Sequence, residues 1–472
     1  MIFIPIGCTI CTLGGYIMFN SLEMKNFKSF SNGIIDFENR NNRSAKHLIA
    51  IYGENGSGKT NIVDAFRILK FSTLTTFFSE TFTNFQSSLA DELPDADRIS
   101  KLEGIKELYI AMKFRDINSL LENTPRINSK EDTTLIYNFS IDGLKGSYEI
   151  SYDNNCKLKS ESLYYLVNKN RGNLFSIENH GKGIELEINL NKMIFKTSSL
   201  RNELKDSILK LWGKHTFLSI FKQFQNHINE SYVIDNVSAN FLSVLNEFEK
   251  IVIWTDEVKG PFIHHKTFLS DLESGTIDRE DLYKLEKCEE VIFSYFSSLY
   301  ADIKNIKYKV KENESKIDYQ LYVVKNISGE AIEIPFYLES NGTKNLLELL
   351  QVFFSAINGN IVIVDEIDQG IHDILMNNII RNVSESLSGQ LIFTTHDTFL
   401  LQELPPSSAY FINLDVKGNK LVLSGNDYDT KVLKNNNMQH MYLKGTFNAI
   451  PDPLDIDFID IFDPIIDHSE ED

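Results

Sequence analysis

The residues Gly-Glu-Asn-Gly-Ser-Gly-Lys-Thr at Gly53–Thr60 constrain the fold of this chain more than any other feature. They fit the phosphate-loop pattern G-x-x-x-x-G-K-[ST] at every fixed position. Glycines in such a loop let successive backbone N–H groups point at the same phosphate oxygens. We expect Lys59 to reach the β- and γ-phosphates of a nucleotide and the hydroxyl of Thr60 to ligate Mg²⁺.

The residues on either side of this loop support the same interpretation. The apolar run Leu48–Tyr52 is typical of a buried strand, and Asn61–Leu69 has helical spacing. Strand, glycine loop and helix therefore follow in the order that places a helix N-terminus against an anion. A chance glycine turn is the alternative. The predicted nucleotide-binding residues of the loop are Gly53, Glu54, Asn55, Gly56, Ser57, Gly58, Lys59, Thr60 and Asn61.

A second motif follows about three hundred residues later. The β-branched run Ile361–Val364 leads directly into Asp365 and Glu366. A buried strand that delivers a carboxylate to its carboxyl end is a common way to hold Mg²⁺ near a phosphate loop. An ordinary acidic turn is the alternative, and the glycine loop disfavours it. We predict Asp365 as a metal ligand and Glu366 as the base that polarises the attacking water.

Two further segments belong to this pattern. Gln390–Thr395 has the composition of a buried strand and ends at His396, where a parallel sheet places ligand contacts. Upstream, Ser340-Asn-Gly342 forms a Ser-x-Gly turn that opens a leucine-rich helix. Ser340 can cap that helix, and the helix N-terminus suits an anion. Capping alone remains an alternative role for Ser340.

Composition limits the environment and the partners of the chain. Its formal net charge is −19, which counts against broad contact with nucleic acid and leaves a local site open. Four scattered cysteines suit a reducing cytoplasm rather than a disulfide framework. The apolar opening of residues 1–17 is too short to span a bilayer, and we expect translation to start at Met18. We predict a cytoplasmic protein with no membrane partner.

Pattern and composition divide the chain into segments. Period-two runs at Glu107–Phe114, Leu135–Ile141, Tyr148–Tyr152 and Glu185–Leu190 predict an antiparallel meander. Helical spacing dominates from Ser199 to about Tyr300. We predict a doubtful leader at 1–17, an N-terminal lobe with the phosphate loop and an antiparallel β-subdomain at 18–198, a compact helical insertion at 199–300, a C-terminal lobe at 301–450, and an acidic tail at 451–472.

Taken together, these motifs resemble the ABC-type ATPase head of the SMC, RecF and OLD proteins. Ser340 precedes Asp365 by 25 positions and His396 follows it by 31, which is close to the compact spacing of that family. The nearest resemblance is to stand-alone ATPases of bacterial anti-phage systems such as Septu and PARIS. It rests on the opening Phe19–Phe30, on Asp365–His372 and on Tyr442–Pro451. Asn341 and Thr343 depart from the Gly-Gly-Gln of transporter signatures.

The resemblance implies an α/β P-loop NTPase with an ABC-type head, in which a mixed sheet is joined by an antiparallel β-subdomain and a compact helical insertion. It also implies ATP and Mg²⁺ as cofactors and His396 as a switch histidine. Two protomers would sandwich ATP, so that Ser340 and Gly342 of one contact the γ-phosphate held by Lys59 of the other. This implies a homodimer or a higher homo-oligomer.

Three functions follow from this resemblance. The first is an ATP-hydrolysing switch that acts with a separately encoded effector, either a nuclease or a toxin, in anti-phage defence. The second is an intrinsic nuclease of the OLD kind, which we reject because Ser424 stands where a Toprim domain needs a metal-binding Glu. The third, kept as the alternative, is a DNA-binding ATPase of the RecF or SMC kind in DNA repair or maintenance.

Overall fold

The structure of the 472-residue chain is a computed structural model, and it describes residues 16–90, 105–181, 186–258, 269–313, 316–415, 418–428, 437–450, 455–462 and 465. The predicted leader lies outside the described residues up to position 15, and the predicted acidic tail is described only at 455–462 and 465. Ile17 and Met18 both lie in the first strand, where Ile17 pairs with Ile141. The segment boundaries remain predictions.

The described strands are β1 (Ile17–Phe27), β2 (Phe30–Asp36), β3 (Leu48–Tyr52), β4 (Thr133–Ile141), β5 (Leu144–Tyr152), β6 (Leu158–Leu166), β7 (Arg171–Glu178), β8 (Glu187–Leu190), β9 (Val252–Trp254), β10 (Ser274–Asp278), β11 (Ile303–Glu312), β12 (Lys316–Ile327), β13 (Glu330–Pro335), β14 (Ile361–Val364), β15 (Gln390–Thr394), β16 (Ala409–Leu414) and β17 (Lys420–Ser424).

The described α-helices are α1 (Lys59–Ser72), α2 (Thr75–Ala90), α3 (Ile105–Lys113), α4 (Ile117–Leu121), α5 (Ser198–Leu211), α6 (Phe217–Asn226), α7 (Glu230–Asn236), α8 (Ala239–Glu249), α9 (Leu282–Leu299), α10 (Asn341–Ile357), α11 (Asp373–Ser384), α12 (Met438–Leu443) and α13 (Phe458–Phe462). Short 3-10 helices cover Arg279–Asp281, Phe336–Leu338 and Thr398–Gln402. Within these described ranges, no helix combines the length and the apolar composition that crossing a bilayer requires.

A mixed central sheet carries the predicted site. Its strand order is β17-β16-β3-β15-β14-β9. The pairs from β16 through β3, β15 and β14 to β9 are parallel, whereas β17 is antiparallel to β16. Strands β3, β14 and β15 are buried at every residue, as expected where both faces of a parallel sheet are covered. Because neighbouring parallel strands end at one edge, the segments after β3, β14 and β15 lie side by side.

A second sheet confirms the predicted antiparallel meander. Its order is β2-β1-β4-β5-β6-β7-β8, and each neighbouring pair is antiparallel. Asp142 and Gly143 turn β4 into β5 with positive φ at both residues, the geometry of a tight hairpin turn. The buried amide of Gln390 joins this sheet to the central one. Its Oε1 accepts from the backbone of Phe19, and its Nε2 donates to the carbonyls of Phe19 and Lys46.

Helices α5 to α8 form a compact group, as predicted. Each helix begins with a side-chain cap, supplied in turn by Thr197, Thr216, Asn229 and Ser238. Helices α6 and α8 share a cluster of phenylalanine rings, in which the ring centroids of Phe221 and Phe241 are 4.9 Å apart. Short capped helices and a shared aromatic core explain why no long coiled coil forms here.

The helical prediction is wrong at two places between 199 and 300. Val252–Trp254 forms β9, the edge strand beside β14, and Ser274–Asp278 forms β10. Strand β10 and strand β13 pair with successive parts of one edge of β12, and β11 pairs with the other edge. A strand of three or five residues is too short to show the alternation of apolar and polar residues that is typical of strands. Only its pairing with distant strands defines it.

The strand predicted at Glu107–Phe114 is also wrong, because this segment forms α3. Ile110, Ala111 and Phe114 are buried there at helical spacing. The ring of Phe114 stacks on Phe71 at the end of α1, with the centroids 4.7 Å apart. Apolar residues alternate in the sequence, but packing against α1 selects the helical face, a case in which tertiary contacts override a local pattern.

Candidate functional site

The glycine loop joins β3 to α1, as the motif predicted. Gly56 and Gly58 have φ angles of +76° and +110°, which a residue with a Cβ rarely adopts. A Cβ at Gly53 would lie 2.4 Å from the hydroxyl of Ser57, so the loop also needs glycine there for space. The three glycines therefore allow one tight turn that ends at the N-terminus of α1.

The side chain of Lys59 folds back over the glycine loop that precedes it. Its ammonium group donates to the backbone carbonyls of Gly53 at 2.9 Å and Glu54 at 3.2 Å. Burial lowers the pKa of Lys59, while the nearby charges of Glu366 and Asp365 raise it. The lysine and the two carboxylates follow parallel strands of one sheet and lie at the same edge of it, which explains these opposing effects.

The rim of the loop faces outward. Glu54, Asn55, Gly56 and Thr60 are exposed, and Asn61 is half-buried. The amide of Asn61 donates to the hydroxyl of Ser29 at 2.6 Å, which ties the start of α1 to the turn between β1 and β2. The loop thus presents its rim and the side chain of Thr60 to the solvent, while Asn61 holds the start of α1 in place.

Asp365 and Glu366 follow β14 at the same edge of the sheet. The hydroxyl of Thr394, at the end of β15, donates to Oδ1 of Asp365 at 2.5 Å. The same hydroxyl accepts from the backbone N–H of Glu366 at 2.8 Å. Glu366 has a φ of +51°, an uncommon value for a residue with a side chain, and its side chain is exposed. One threonine therefore holds both carboxylate residues in place.

His396 follows β15 by two residues and is exposed at this edge. Burial of part of the ring lowers the pKa of His396, and the charge of Lys59 lowers it further. The carboxylates of Asp368, Glu366 and Asp365 act in the opposite direction. Because the pKa lies below its ordinary value of 6.5, the imidazole is mainly neutral at pH 7.

The Ser-x-Gly turn lies at the start of α10. Ser340 is exposed, and its hydroxyl accepts from the N–H of Thr343 at 3.2 Å, which makes it the N-cap of the helix. Gly342 is buried, and a Cβ there would lie 2.1 Å from the carbonyl oxygen of Gly370. Asn345 donates to the carbonyl of Gln369 at 2.9 Å. The turn is therefore packed against the loop that follows Glu366 in the same chain.

Comparison with protein families gives a match over residues 167–402, which is half of the 472-residue chain. The family is described as "AAA domain, putative AbiEii toxin, Type IV TA system". The chain belongs to this family of AAA domains. The matched range contains Ser340, Asp365, Glu366 and His396, and it begins after the glycine loop.

Solved structures similar to this AAA-domain chain include the SMC head domain from Thermotoga maritima, at 14% identity and a TM-score of 0.36, covering 86% of this chain and 98% of that chain. Another is the Smc head domain with an extended coiled coil bound to the C-terminal domain of ScpA derived from Pyrococcus furiosus, at 16% identity and a TM-score of 0.38, covering 86% and 96%. A third is the recombination mediator protein RecF-ATPrS, at 11% identity and a TM-score of 0.36, covering 87% and 99%. No curated protein matches the chain.

The glycine loop and Asp365 offer donors and oxygen ligands that suit a nucleotide polyphosphate and Mg²⁺. The hydroxyl of Ser57 is buried inside the loop and has no hydrogen-bond partner among the described residues. A buried polar group of this kind is normally satisfied, so the loop has donor capacity that a phosphate oxygen would use. Thr60 and Asp365 supply the hydroxyl and carboxylate oxygens that Mg²⁺ prefers. The residues present therefore fit both groups.

Sequence motifs did not identify two residues of this site. Thr394 lies within an apolar strand, and its role becomes visible only from its bonds to Asp365 and Glu366. Lys420 begins β17 and donates to the carbonyl of Gly56 at 3.0 Å. A hydroxyl at the carboxyl end of a strand was a usable signal for Thr394, whereas nothing local marks Lys420.

Proposed function

We propose that this chain binds ATP with Mg²⁺ and hydrolyses it to ADP and phosphate at the carboxyl edge of the central sheet. The observation that supports this most is the shared electrostatic neighbourhood of Lys59, Asp365, Glu366 and His396. Burial lowers the pKa of Lys59 and the charges of both carboxylates oppose that effect, while burial and then the charge of Lys59 lower the pKa of His396. These groups follow three adjacent parallel strands, so the sheet itself brings them together.

Each residue has a defined task in this proposal. The N–H groups of the glycine loop and the ammonium of Lys59 bind the phosphates and oppose their charge. Thr60 and Asp365 would hold Mg²⁺, which would supply positive charge to offset that of the phosphates. Glu366 accepts a proton from the attacking water while the γ-phosphorus bond to the bridging oxygen breaks. Neutral His396 donates a hydrogen bond toward the γ-phosphate.

We also propose that the site is completed by a second copy of the chain. Ser340 is exposed at the N-terminus of the 17-residue helix α10, where a hydroxyl and free backbone N–H groups suit an anion. In this arrangement Ser340 of one protomer meets the γ-phosphate bound by the other. Gly342 would contribute by its size, because it lets α10 start directly against the backbone of Gly370.

The wider role in this proposal is that of an ATP-driven switch in a bacterial anti-phage system, with a separately encoded nuclease or toxin as effector. The family description, which names a toxin of a toxin–antitoxin system, supports a setting of this kind. A net charge of −19 does not favour broad contact with DNA, which supports a protein effector over the DNA-repair alternative. A cytoplasmic location is part of the same proposal.

A direct experiment tests the enzymatic part. Phosphate release by the purified chain is measured with ATP in the presence of Mg²⁺ and of EDTA, beside Lys59→Ala. We expect Mg²⁺-dependent release from the wild type alone and weaker binding of ATP by the variant, because the ammonium opposes phosphate charge in the ground state. Equal ATP affinity of the two proteins would exclude Gly53–Thr60 as the phosphate loop.

A further inference from the structure

The ammonium group of Lys420 lies against the glycine loop. It donates to the carbonyl of Gly56 at 3.0 Å, and it would lie 3.2 Å from a Cβ placed on Gly58. The ring of Phe30 has its centroid 5.9 Å from the same ammonium group. Lys420 begins β17 at the far edge of the central sheet, so a C-terminal hairpin reaches back to a loop more than 350 positions earlier.

This lysine is buried without a counter-ion among the described residues. Its exposed fraction is 9%, and no carboxylate in the described part of the chain lies within ion-pair distance of its ammonium group. Burial lowers the pKa of Lys420. Buried charges in proteins are normally paired, because removing a charge from water is costly. In a chain of net charge −19, an unpaired buried cation is an anomaly that needs an explanation.

A second buried lysine shows the ordinary arrangement. Lys46 has an exposed fraction of 7% and donates to the hydroxyl of Tyr410 at 2.6 Å. Burial lowers the pKa of Lys46 as well, but the charges of Asp427 and Asp36 oppose the effect. Lys46 precedes β3 and therefore lies at the end of that strand away from the glycine loop. The two lysines are matched in burial and differ in whether a negative charge accompanies them.

The position of Lys420 is held by contacts that also reach the loop. The side chain of the preceding Asn419 accepts a hydrogen bond of 2.7 Å from the hydroxyl of Ser31, and Asn419 is bonded to Asp415 by its backbone and its amide. The neighbouring hydroxyl of Ser29 would lie 3.1 Å from a Cβ on Gly58. The β1–β2 and β16–β17 hairpins thus both approach the loop, and Lys420 lies next to its glycines.

We propose that Lys420 is a second cation of the nucleotide site, whose counter-ion is the polyphosphate bound in the glycine loop. This inference rests on the proposed function, because it requires that the loop bind a nucleotide. The ammonium group both fixes the carbonyl of Gly56 and adds positive potential at the loop. Because Lys420 begins β17, a shift of the β16–β17 hairpin would move its positive charge relative to the loop. The position of the hairpin would therefore affect nucleotide binding.

The test compares dissociation constants for ATP with Mg²⁺, measured by titration calorimetry on the full chain, for the wild type, Lys420→Met, Lys420→Gln and Lys420→Arg. Lys46→Met is the matched control. We expect roughly tenfold weaker binding for the Met and Gln variants, near-normal binding for Arg, and no change for Lys46→Met. The slope of affinity against salt concentration should also be shallower when the charge at 420 is absent.

A thermal-unfolding measurement without nucleotide separates this role from a purely structural one. Removal of an unpaired buried charge should leave the melting temperature of Lys420→Met unchanged or raise it, whereas loss of a structural contact would lower it. Wild-type affinity in Lys420→Gln, which keeps a donor for Gly56 and lacks the charge, would overturn the proposal even if the Met variant does not fold. If the wild type itself fails to bind ATP, and Lys59→Ala is no different, the proposed function fails instead.

Discussion

The hydroxyl of Thr394 donates a 2.5 Å hydrogen bond to Oδ1 of Asp365 and accepts one of 2.8 Å from the N–H of Glu366. Thr394 is fully buried at the end of β15, so both bonds are shielded from water on the side of the threonine. A single side chain thereby couples the neighbouring strand to both carboxylate residues. The orientation of Asp365 and the unusual backbone of Glu366 depend on this contact.

Thr394→Val should reduce ATP turnover about tenfold or more, because it removes both hydrogen bonds that hold Asp365 and Glu366, worth about 1–3 kcal/mol together. Thr394→Ser keeps the hydroxyl and should retain most of the activity. The measurement is kcat across a range of Mg²⁺ concentrations, with circular dichroism to confirm folding. Equal kcat in the Val variant and the wild type would show that this contact has no part in catalysis.

Asp365 and Glu366 should differ in what they control. Asp365→Asn removes a charge that we expect to hold Mg²⁺, so ATP binding should lose its dependence on the metal. Glu366→Gln should bind ATP normally and turn it over roughly a hundredfold more slowly, in line with the loss of a single catalytic group. Binding and turnover are measured separately on each variant. Normal hydrolysis by Glu366→Gln would exclude it as the base.

A shared site predicts complementation between two inactive variants. Lys59→Ala lacks the phosphate contact, and Ser340→Arg blocks the N-terminus of α10, so each should be inactive alone. A mixed dimer contains one intact site, and the mixture should therefore recover part of the ATPase activity. Labelled subunits are needed to show that exchange takes place. With exchange demonstrated, absence of recovery would contradict two independently competent sites.

Glu161 predicts a pH dependence of stability. It is fully buried and accepts hydrogen bonds from Trp212, Tyr148 and the backbone N–H groups of Phe217 and Leu218. Burial raises the pKa of Glu161 from 4.5 to about 7, and these hydrogen bonds offset part of that effect. A raised pKa in the folded state means that the protein binds this proton more tightly than the unfolded chain does.

The free energy of unfolding should therefore fall as the pH rises from about 4.5 to about 7, by roughly 3 kcal/mol from this group. Urea unfolding at pH 5 and pH 8 measures it, with Glu161→Gln as the comparison. The variant should be less stable at both pH values, because its amide faces donors, and its difference between them should be smaller. The same pH difference in both proteins would contradict the assignment to Glu161.

The amino-acid sequence by itself determined those elements whose residue pattern lies within a short stretch of the chain. The glycine loop, the strand that ends at Asp365 and the alternating strands of the meander each lie within a few consecutive residues. Glycines that adopt positive φ, runs of β-branched residues and turn-forming pairs each favour one local structure. Few other backbone conformations are compatible with them. The structure confirms these elements and their positions, while the chemical roles of the site residues remain predictions.

Only the tertiary structure decided the rest. Glu107–Phe114 alternates in apolarity but becomes the helix α3, because Phe114 stacks on Phe71. Val252–Trp254 is a strand because β14 offers it a partner more than a hundred residues away. Thr394 and Lys420 reach the site through contacts with residues 29 and 364 positions distant. Burial and pairing across such separations depend on the packed sheet, and no short stretch of sequence contains them.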